Sequence, residues 1–278
     1  MSEMAHASAN ESEIESKLAD AAFGCSPGSW PLPMATTPRQ LWLRAVAAGG
    51  QGRYGAAYSD LALLRRGAPV GPLASLAHST QGSFLRQLGW HTLARRWDGR
   101  ALALAGSDPS DADARADALI GLAADALGVG RLAASATLLA RADKALDGAQ
   151  LPGSVADRLA VRRRWVAAEL AMASGAGPMA VDHATEAVRL AKTVRHQVKS
   201  DVVLAAAWCS AGDTERASVV ADGALNAAGR WNLIPLRWAV ACLLIDIGSV
   251  TFPVQRLRQI RDICADQVRR AGGTWRTA

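Results

Sequence analysis

Residues 205–225, AAAWCSAGDTERASVVADGAL, have the pattern of two helices joined by a tight turn. The first helix is expected to stop at Gly212, and Asp213 or Thr214 can cap a second helix with apolar residues at helical spacing. Nearly all positions where the two helices would face each other are alanine. Because helices approach closely only where the side chains at their crossing are small, this stretch predicts a closely packed helical hairpin.

The same pattern recurs along the chain, with a glycine at the turn of each unit. These glycines fall at positions 52, 89, 130, 175, 212 and 248, at intervals of 37, 41, 45, 37 and 36 residues. Recurrence at such a period is typical of helical repeat proteins, which bind partners more often than they transform them. We therefore predict an all-α superhelix, a solenoid of five to six hairpins, over residues 38–278 with a capping helix at about residues 254–271.

Several units resemble the tetratricopeptide repeat, a helical hairpin of about 34 residues. The first unit matches the second half of that repeat with a turn glycine, an aromatic residue, an alanine, two large apolar residues and a proline: Gly52, Tyr54, Ala57, Leu61, Leu64 and Pro69. The second unit has Gly82 in its first helix and two alanines seven positions apart in its second, Ala94 and Ala101. The resemblance covers residues 38–270, and the longer intervals indicate degenerate repeats.

Residues 1–37 have a different character. Residues 1–36 carry a net charge of −4, which leaves about +10 on the rest of a chain whose total is +6. Residues 24–37 contain three prolines and two glycines, so they are not expected to form regular structure. We predict a flexible acidic arm in which residues 12–23 form one or two helical turns. In the alternative, Trp30 packs against the first helices, which begin at Pro38 after a threonine cap.

The composition points to a reducing compartment. The four cysteines are widely separated and form no CxxC pair, so we expect reduced thiols and a cytoplasmic protein. The N-terminus has no early apolar run, and the apolar stretches are too short to cross a bilayer, so neither a signal peptide nor membrane contact is expected. The high alanine and arginine content is typical of bacterial proteins from GC-rich genomes.

No convergent catalytic set is visible in the sequence. His78 precedes Ser79, but adjacent helical residues point about 100° apart and cannot act as base and nucleophile. The glycines of residues 49–52 and 128–130 lack the strand and lysine of a phosphate loop, and residues 108–117 lack the glycine and glutamate of a calcium loop. We expect no enzymatic activity, no cofactor and no metal. A small-molecule enzyme on a helical array is the third class that we considered.

The resemblance implies a binding groove, because the first helices of tetratricopeptide hairpins line a concave face that takes an extended or helical peptide. Carried onto this chain, it places nine residues in that groove: Arg39, Trp42, Ser79, Ser83, Arg86, Arg162, Trp165, Glu169 and Lys199. Basic groups there would suit an acidic protein segment or a C-terminal carboxylate. The lysine and asparagine set of the chaperone-binding members is incomplete, so we expect a different protein partner and a non-enzymatic interaction or regulatory module.

The main alternative is a regulator whose basic surface binds nucleic acid or the transcription machinery. Arginines lie next to tryptophan at residues 95–97 and 162–165, and such pairs can stack on bases. They also occur on half-buried helix faces, where the arginine stem covers the ring. No separate helix-turn-helix domain is evident, so the sequence favours a protein partner, and it predicts no oligomeric state.

Overall fold

The computed structural model describes residues 2–106 and 108–276, without the side chains of residues 2–9 and of Pro109. Residue 1 of the predicted arm and residues 277–278 of the predicted repeat domain lie outside the described residues. Within this range the chain is all-helical, and none of its helices is both long and apolar enough to cross a membrane. The helices are α1 (Ser2–Phe23), α2 (Pro38–Gly50), α3 (Tyr54–Gly67), α4 (Pro72–Gln87), α5 (His91–Leu104), α6 (Ala112–Gly128), α7 (Leu132–Leu146), α8 (Gly153–Ala173), α9 (Gly177–Leu190), α10 (Val194–Ser210), α11 (Thr214–Arg230), α12 (Ile234–Ile247) and α13 (Val254–Arg270).

Consecutive helices from α2 onward pack as antiparallel pairs, α2 with α3 through to α12 with α13. The described part of the chain therefore contains six hairpins. We call the first helix of each hairpin the inner helix and the second the outer helix. Successive inner helices also contact each other, from α2 with α4 to α10 with α12. These contacts confirm the predicted all-α superhelix of helical hairpins.

The hairpin turns are made by glycine, as the sequence pattern predicts. The six expected turn glycines all have φ between +73° and +90°, a conformation that side chains with a Cβ rarely adopt. The sixth hairpin has a longer connection after Gly248. There the Asp222 carboxylate accepts hydrogen bonds from the backbone N–H groups of Val250 and Thr251, each at 3.0 Å.

The alanines predicted at the helix crossings lie in the core. Ala205 and Ala207 of α10 and Ala217 and Ala221 of α11 are fully buried. The same holds in the other hairpins, where Ala94, Ala101, Ala180 and Ala184 have no exposed surface. Since each alanine removes only a methyl group from water, the tight spacing of the helices provides much of the packing.

The N-terminal segment contains a 22-residue helix and packs against the first hairpin. Leu18, Ala21 and Ala22 of α1 are buried, and this apolar stripe explains why the helix docks on α2. After α1 the chain is irregular up to the Thr37 cap. The Gln51 side-chain amide donates hydrogen bonds to the carbonyls of Pro27 and Ser29, at 3.0 and 2.9 Å.

The end of the superhelix returns to its beginning. The N–H of Gly55, at the start of α3, donates a 2.7 Å hydrogen bond to the Ala271 carbonyl just after α13. The N–H of Arg276 donates to the Leu88 carbonyl at 2.9 Å, in the turn of the second hairpin. One buried apolar cluster accordingly contains side chains from α1 to α4 and from α10 to α13. The concave face is therefore the wall of an interior space.

Candidate functional site

A cavity of ≈ 430 Å³ lies at the centre of the superhelix. All six inner helices contribute residues to its wall, and Phe23 at the end of α1 joins them. Binding sites for small ligands usually have volumes of about 300–1,000 Å³, so the cavity is large enough to hold a ligand.

Seven of the nine residues expected in the concave groove line this cavity: Trp42, Ser83, Arg86, Arg162, Trp165, Glu169 and Lys199. The other two do not line it. Arg39 lies on the exposed side of α2, where its Nε donates a 2.7 Å hydrogen bond to Glu15 of the acidic helix α1. Ser79 is buried behind the wall and donates its hydroxyl to the Asp117 carboxylate at 2.8 Å.

Arg86 is held by two buried carboxylates behind the cavity wall. Its Nη1 contacts Asp98 of α5 and, at 3.0 Å, Asp125 of α6. Asp98 fits between α4 and α6 because Gly82 and Gly121 face it; a Cβ at either glycine would lie 2.6 Å from a carboxylate oxygen of Asp98. Burial raises the pKa of Asp98 to about 8 although Arg86 opposes the rise, and Asp125 adds to it. Arg86 therefore has two carboxylate partners of its own behind the wall, Asp98 and Asp125.

Asp117 of α6 is shared by two arginines of α8. Its Oδ1 accepts a 2.6 Å hydrogen bond from Arg158 and lies 3.5 Å from Nε of Arg162. Burial acts to raise the pKa of Asp117, but Arg162, Arg158 and the Ser79 hydroxyl together lower it to about 2. One negative charge thus faces two positive charges, and the Arg162 Nε has no hydrogen-bond partner in the described structure.

Arg195 of α10 is the most isolated cation of the cavity. Its Nη1 donates a 3.2 Å hydrogen bond to the carbonyl of Val46, and no carboxylate in the described range forms an ion pair with it. Burial and the nearby positive charge of Arg162 lower the pKa of Arg195 to about 10. Burial and the same arginine cluster lower the pKa of the neighbouring His196 to about 3, so its imidazole is neutral.

The charges of the cavity do not balance. Five cations line it, namely Arg86, Arg158, Arg162, Arg195 and Lys199. Four carboxylates in the described range pair with them, namely Asp98, Asp125, Asp117 and Glu169. Arg86 has two of these carboxylates and Lys199 has one, so positive charge is left over where Arg158 and Arg162 share Asp117 and at Arg195. The cavity can therefore bind an anion.

Five aromatic side chains of Phe and Trp lie in the remaining wall, among aliphatic, small and uncharged polar residues. The indole N–H groups of Trp42 and Trp165 are satisfied by Thr80 and Ser200, at 3.0 and 2.9 Å. Phe23 lies 5.4 Å from Trp42, measured between ring centroids, and the Lys199 ammonium lies 5.9 Å from the Trp165 ring centre. Because these polar groups are already paired, the rings offer the cavity apolar surface beside its cations.

The basic run of residues 162–164 does not form a single patch. Arg162 lines the cavity, Arg163 pairs with Asp143 of α7, and Arg164 lies 3.1 Å from His183 of α9. Arg65, and not its sequence neighbours, covers the ring of Trp97 at 4.9 Å from the centroid. Successive residues of a helix face different neighbours, so adjacency in the sequence did not produce a common surface.

Several cavity residues were not among the nine expected ones: Phe23, Asp117, Arg158, Arg195 and His196. For two of them the sequence held a signal. Arg158 precedes Arg162 by four residues and Arg195 precedes Lys199 by four, which places each pair on one helix face. Phe23 carries no such signal, because it reaches the cavity only through the docking of α1.

No protein-family model matches this chain, and no curated protein matches it significantly.

Within the described range, no group of three or more His, Cys, Asp or Glu side chains has an arrangement that could hold a metal ion. The side chains of His78 and Ser79 have separate partners, the Ala74 carbonyl and Asp117. The cavity is therefore the candidate functional site.

Proposed function

We propose that this protein is a non-enzymatic interaction or regulatory module of the cytoplasm that binds an acidic protein or peptide segment at its concave face. One observation carries the proposal: the six inner helices converge on one cavity whose five cations pair with only four carboxylates in the described range, with none at Arg195. An acidic side chain entering this cavity would gain charge-assisted hydrogen bonds from guanidinium groups that are partly buried. The four cysteines are free thiols, as a reducing compartment would keep them.

We further propose that the hairpins are degenerate tetratricopeptide-like repeats. In the first hairpin the residues that match the repeat pattern are its packing residues, since Tyr54, Ala57, Leu61 and Leu64 have no exposed surface. Gly82 faces Asp98 of the second helix of its hairpin, and a Cβ at Gly82 would lie 2.6 Å from a carboxylate oxygen of Asp98. Turn intervals of 36 to 45 residues exceed the family period of about 34, in keeping with helices as long as the 21 residues of α8.

The proposal is tested by selecting random twelve-residue peptides, displayed on phage, against the full chain. We expect enrichment of peptides rich in aspartate and glutamate. Fluorescence anisotropy with the selected peptides should show weaker binding to Arg195→Gln by about tenfold or more, since a charge-assisted hydrogen bond contributes about 1.5–3 kcal/mol. Exposed Arg66 on α3 provides the matched control, Arg66→Gln, which should bind as the wild type does. Enrichment without acidic residues, or equal affinity of Arg195→Gln, contradicts the proposal.

The second candidate is nucleic-acid binding by the outer face of α13. Arg256, Arg258, Arg269 and Arg270 are exposed on this helix, although Asp266 pairs with Arg269 at 2.7 Å. Affinity capture from lysate with and without nuclease separates the two candidates. Enrichment that vanishes with nuclease, together with binding that weakens steeply with salt, would place nucleic acid ahead of a protein segment.

A further inference from the structure

The cavity also has the features of a small-molecule site. Its ≈ 430 Å³ lies within the usual range for such sites, and it combines apolar ring surface with a few convergent polar groups. Phe23 of α1 and Trp238 of α12 lie in the wall of this one cavity together with residues of the inner helices between them. Its size and composition therefore fit a compact ligand.

Two arginines supply the positive charge that would bind such a ligand. Arg195 pairs with no carboxylate in the described range and donates one hydrogen bond there, to the Val46 carbonyl. Arg162 shares Asp117 with Arg158, which holds the carboxylate more closely, at 2.6 Å against 3.5 Å. The Nε of Arg162 is buried and has no hydrogen-bond partner in the described structure. Two partly buried cations on the wall of one cavity, without a carboxylate of their own, form a candidate site for an anion.

Apolar and aromatic residues line the same cavity as these two arginines. Gly50 of α2 lies against the Arg195 guanidinium, where an added Cβ would be 3.2 Å from Nη1. Trp165 lies three residues after Arg162 on the same helix and packs edge-on against His196, with 5.4 Å between ring centroids. Ile120 and Val166 add aliphatic surface. A ligand that pairs with the arginines would therefore place the rest of its structure on aromatic and aliphatic side chains.

We propose that the cavity binds a small organic anion, in which a carboxylate or similar oxyanion that pairs with Arg162 and Arg195 is joined to an aromatic or aliphatic body. The guanidinium fork matches the two oxygens of a carboxylate, and the buried setting strengthens the pairing. This inference goes beyond the proposed partner binding, because it requires no protein segment. A small anion in the cavity would compete with an acidic segment that enters the same space.

The test uses two dyes of nearly equal shape with the full-length folded protein. Anilinonaphthalene sulfonate carries an oxyanion on an aromatic body, and N-phenyl-1-naphthylamine is its uncharged counterpart. We expect the charged dye to bind at least about tenfold more tightly than the neutral one, as the contribution of a charged hydrogen bond implies. The substitutions Arg195→Gln and Arg162→Gln should remove most of that advantage and leave neutral-dye binding in place. Arg195→Lys, which keeps the charge, should restore part of it, and Arg66→Gln should have no effect.

Displacement of the charged dye by 3-phenylpropionate, but not by its amide, would support the carboxylate assignment. Equal binding of the two dyes, or unchanged binding of the charged dye to both glutamine variants, would overturn the inference. This failure is distinct from failure of the partner proposal. If the selected acidic peptides bind while the dyes are not discriminated, the partner function stands without the small-molecule site. If the protein discriminates between the dyes while no acidic peptide binds, the small-molecule site stands without the partner function.

Discussion

The backbone N–H of Gly55 donates a 2.7 Å hydrogen bond to the carbonyl of Ala271, across 216 positions of the chain, counted from their residue numbers. This contact joins the first outer helix to the end of the last one. Gly272 follows at φ +87°, and a Cβ there would lie 2.9 Å from the Cα of Gly55. The two glycines thus permit the close approach that turns the concave face into a cavity wall.

Gly272→Ala should weaken this closure. Non-glycine residues at such a φ cost about 1–3 kcal/mol, and here the added methyl group also meets the Gly55 backbone. Gly248→Ala is the matched control, because Gly248 has φ +90° but nothing within 4 Å of an added Cβ. Urea unfolding should show a larger loss for Gly272→Ala, and hydrogen exchange should show faster exchange of the Gly55 amide in that variant alone. Equal losses and equal exchange in both variants would show that the contact does not hold the ends together.

Arg86→Met should destabilise the protein strongly. The substitution removes the cation from two carboxylates that have no exposed surface, Asp98 and Asp125, and breaking a buried ion pair typically costs about 3–5 kcal/mol. Replacing exposed Arg66 in the same way should change the unfolding free energy by less than about 0.5 kcal/mol. Adding Asp98→Asn and Asp125→Asn to Arg86→Met should recover part of the loss. A loss from Arg86→Met no larger than that of the control would contradict the described ion cluster.

Two helical glycines should respond in opposite directions to alanine. In Gly121→Ala the new methyl group would lie 2.6 Å from an Asp98 oxygen, and such overpacking typically costs about 1–3 kcal/mol. In Gly99→Ala the methyl group meets nothing within 4 Å, so the better helix propensity of alanine should stabilise by about 0.5–1 kcal/mol. Thermal and urea unfolding of both variants measure the difference. Stabilisation by Gly121→Ala would mean that Asp98 does not fill the space between α4 and α6.

His196 should make the protein sensitive to acid. Its pKa is about 3 in the folded state and about 6.5 when unfolded, so between these values only the unfolded state takes up the proton. Stability from this group is therefore lost as the pH falls below 6.5, by about 1.4 kcal/mol per pH unit. His196→Asn removes this dependence, so the free-energy difference between wild type and variant should shift by that slope between pH 6 and about pH 4. A difference that does not change with pH would contradict the neutral, buried imidazole.

Asp98 should make the protein less stable as the pH rises, whereas His196 makes it less stable as the pH falls. Its folded pKa of about 8 lies above its unfolded value of 3.8, so the folded state holds a proton that the unfolded state has released. The stabilisation is complete below pH 3.8 and is lost as the pH rises toward 8. Relative to Asp98→Asn, whose amide does not titrate, the wild type should therefore lose stability from pH 5 to pH 8. Urea unfolding across this range measures the change, and a relative gain of stability by the wild type would contradict the protonated state of Asp98.

Local features of the sequence were enough to predict the hairpins. Glycine adopts a positive φ at little cost in a very short turn between helices, and alanine allows helices to cross closely, so Gly212 and Ala217 identify the fifth hairpin from the sequence alone. The Thr37 cap follows in the same way from the threonine before Pro38 and from Gln40 three residues later. Each of these signals acts within a few residues, and each is read without knowledge of the rest of the fold.

The sequence by itself predicted the six hairpins, their glycine turns and seven of the residues that line the cavity, but only one or two turns of the 22-residue helix α1. Only the tertiary structure decided that the two ends meet at Gly55 and Ala271, that Phe23 enters the cavity, and that Arg86 pairs with Asp98 and Asp125 while Arg195 has no carboxylate partner in the described range. The physical reason is that the curvature of a superhelix is the sum of small rotations between successive hairpins. No single residue encodes that sum, so contacts between distant hairpins become visible only in the complete fold.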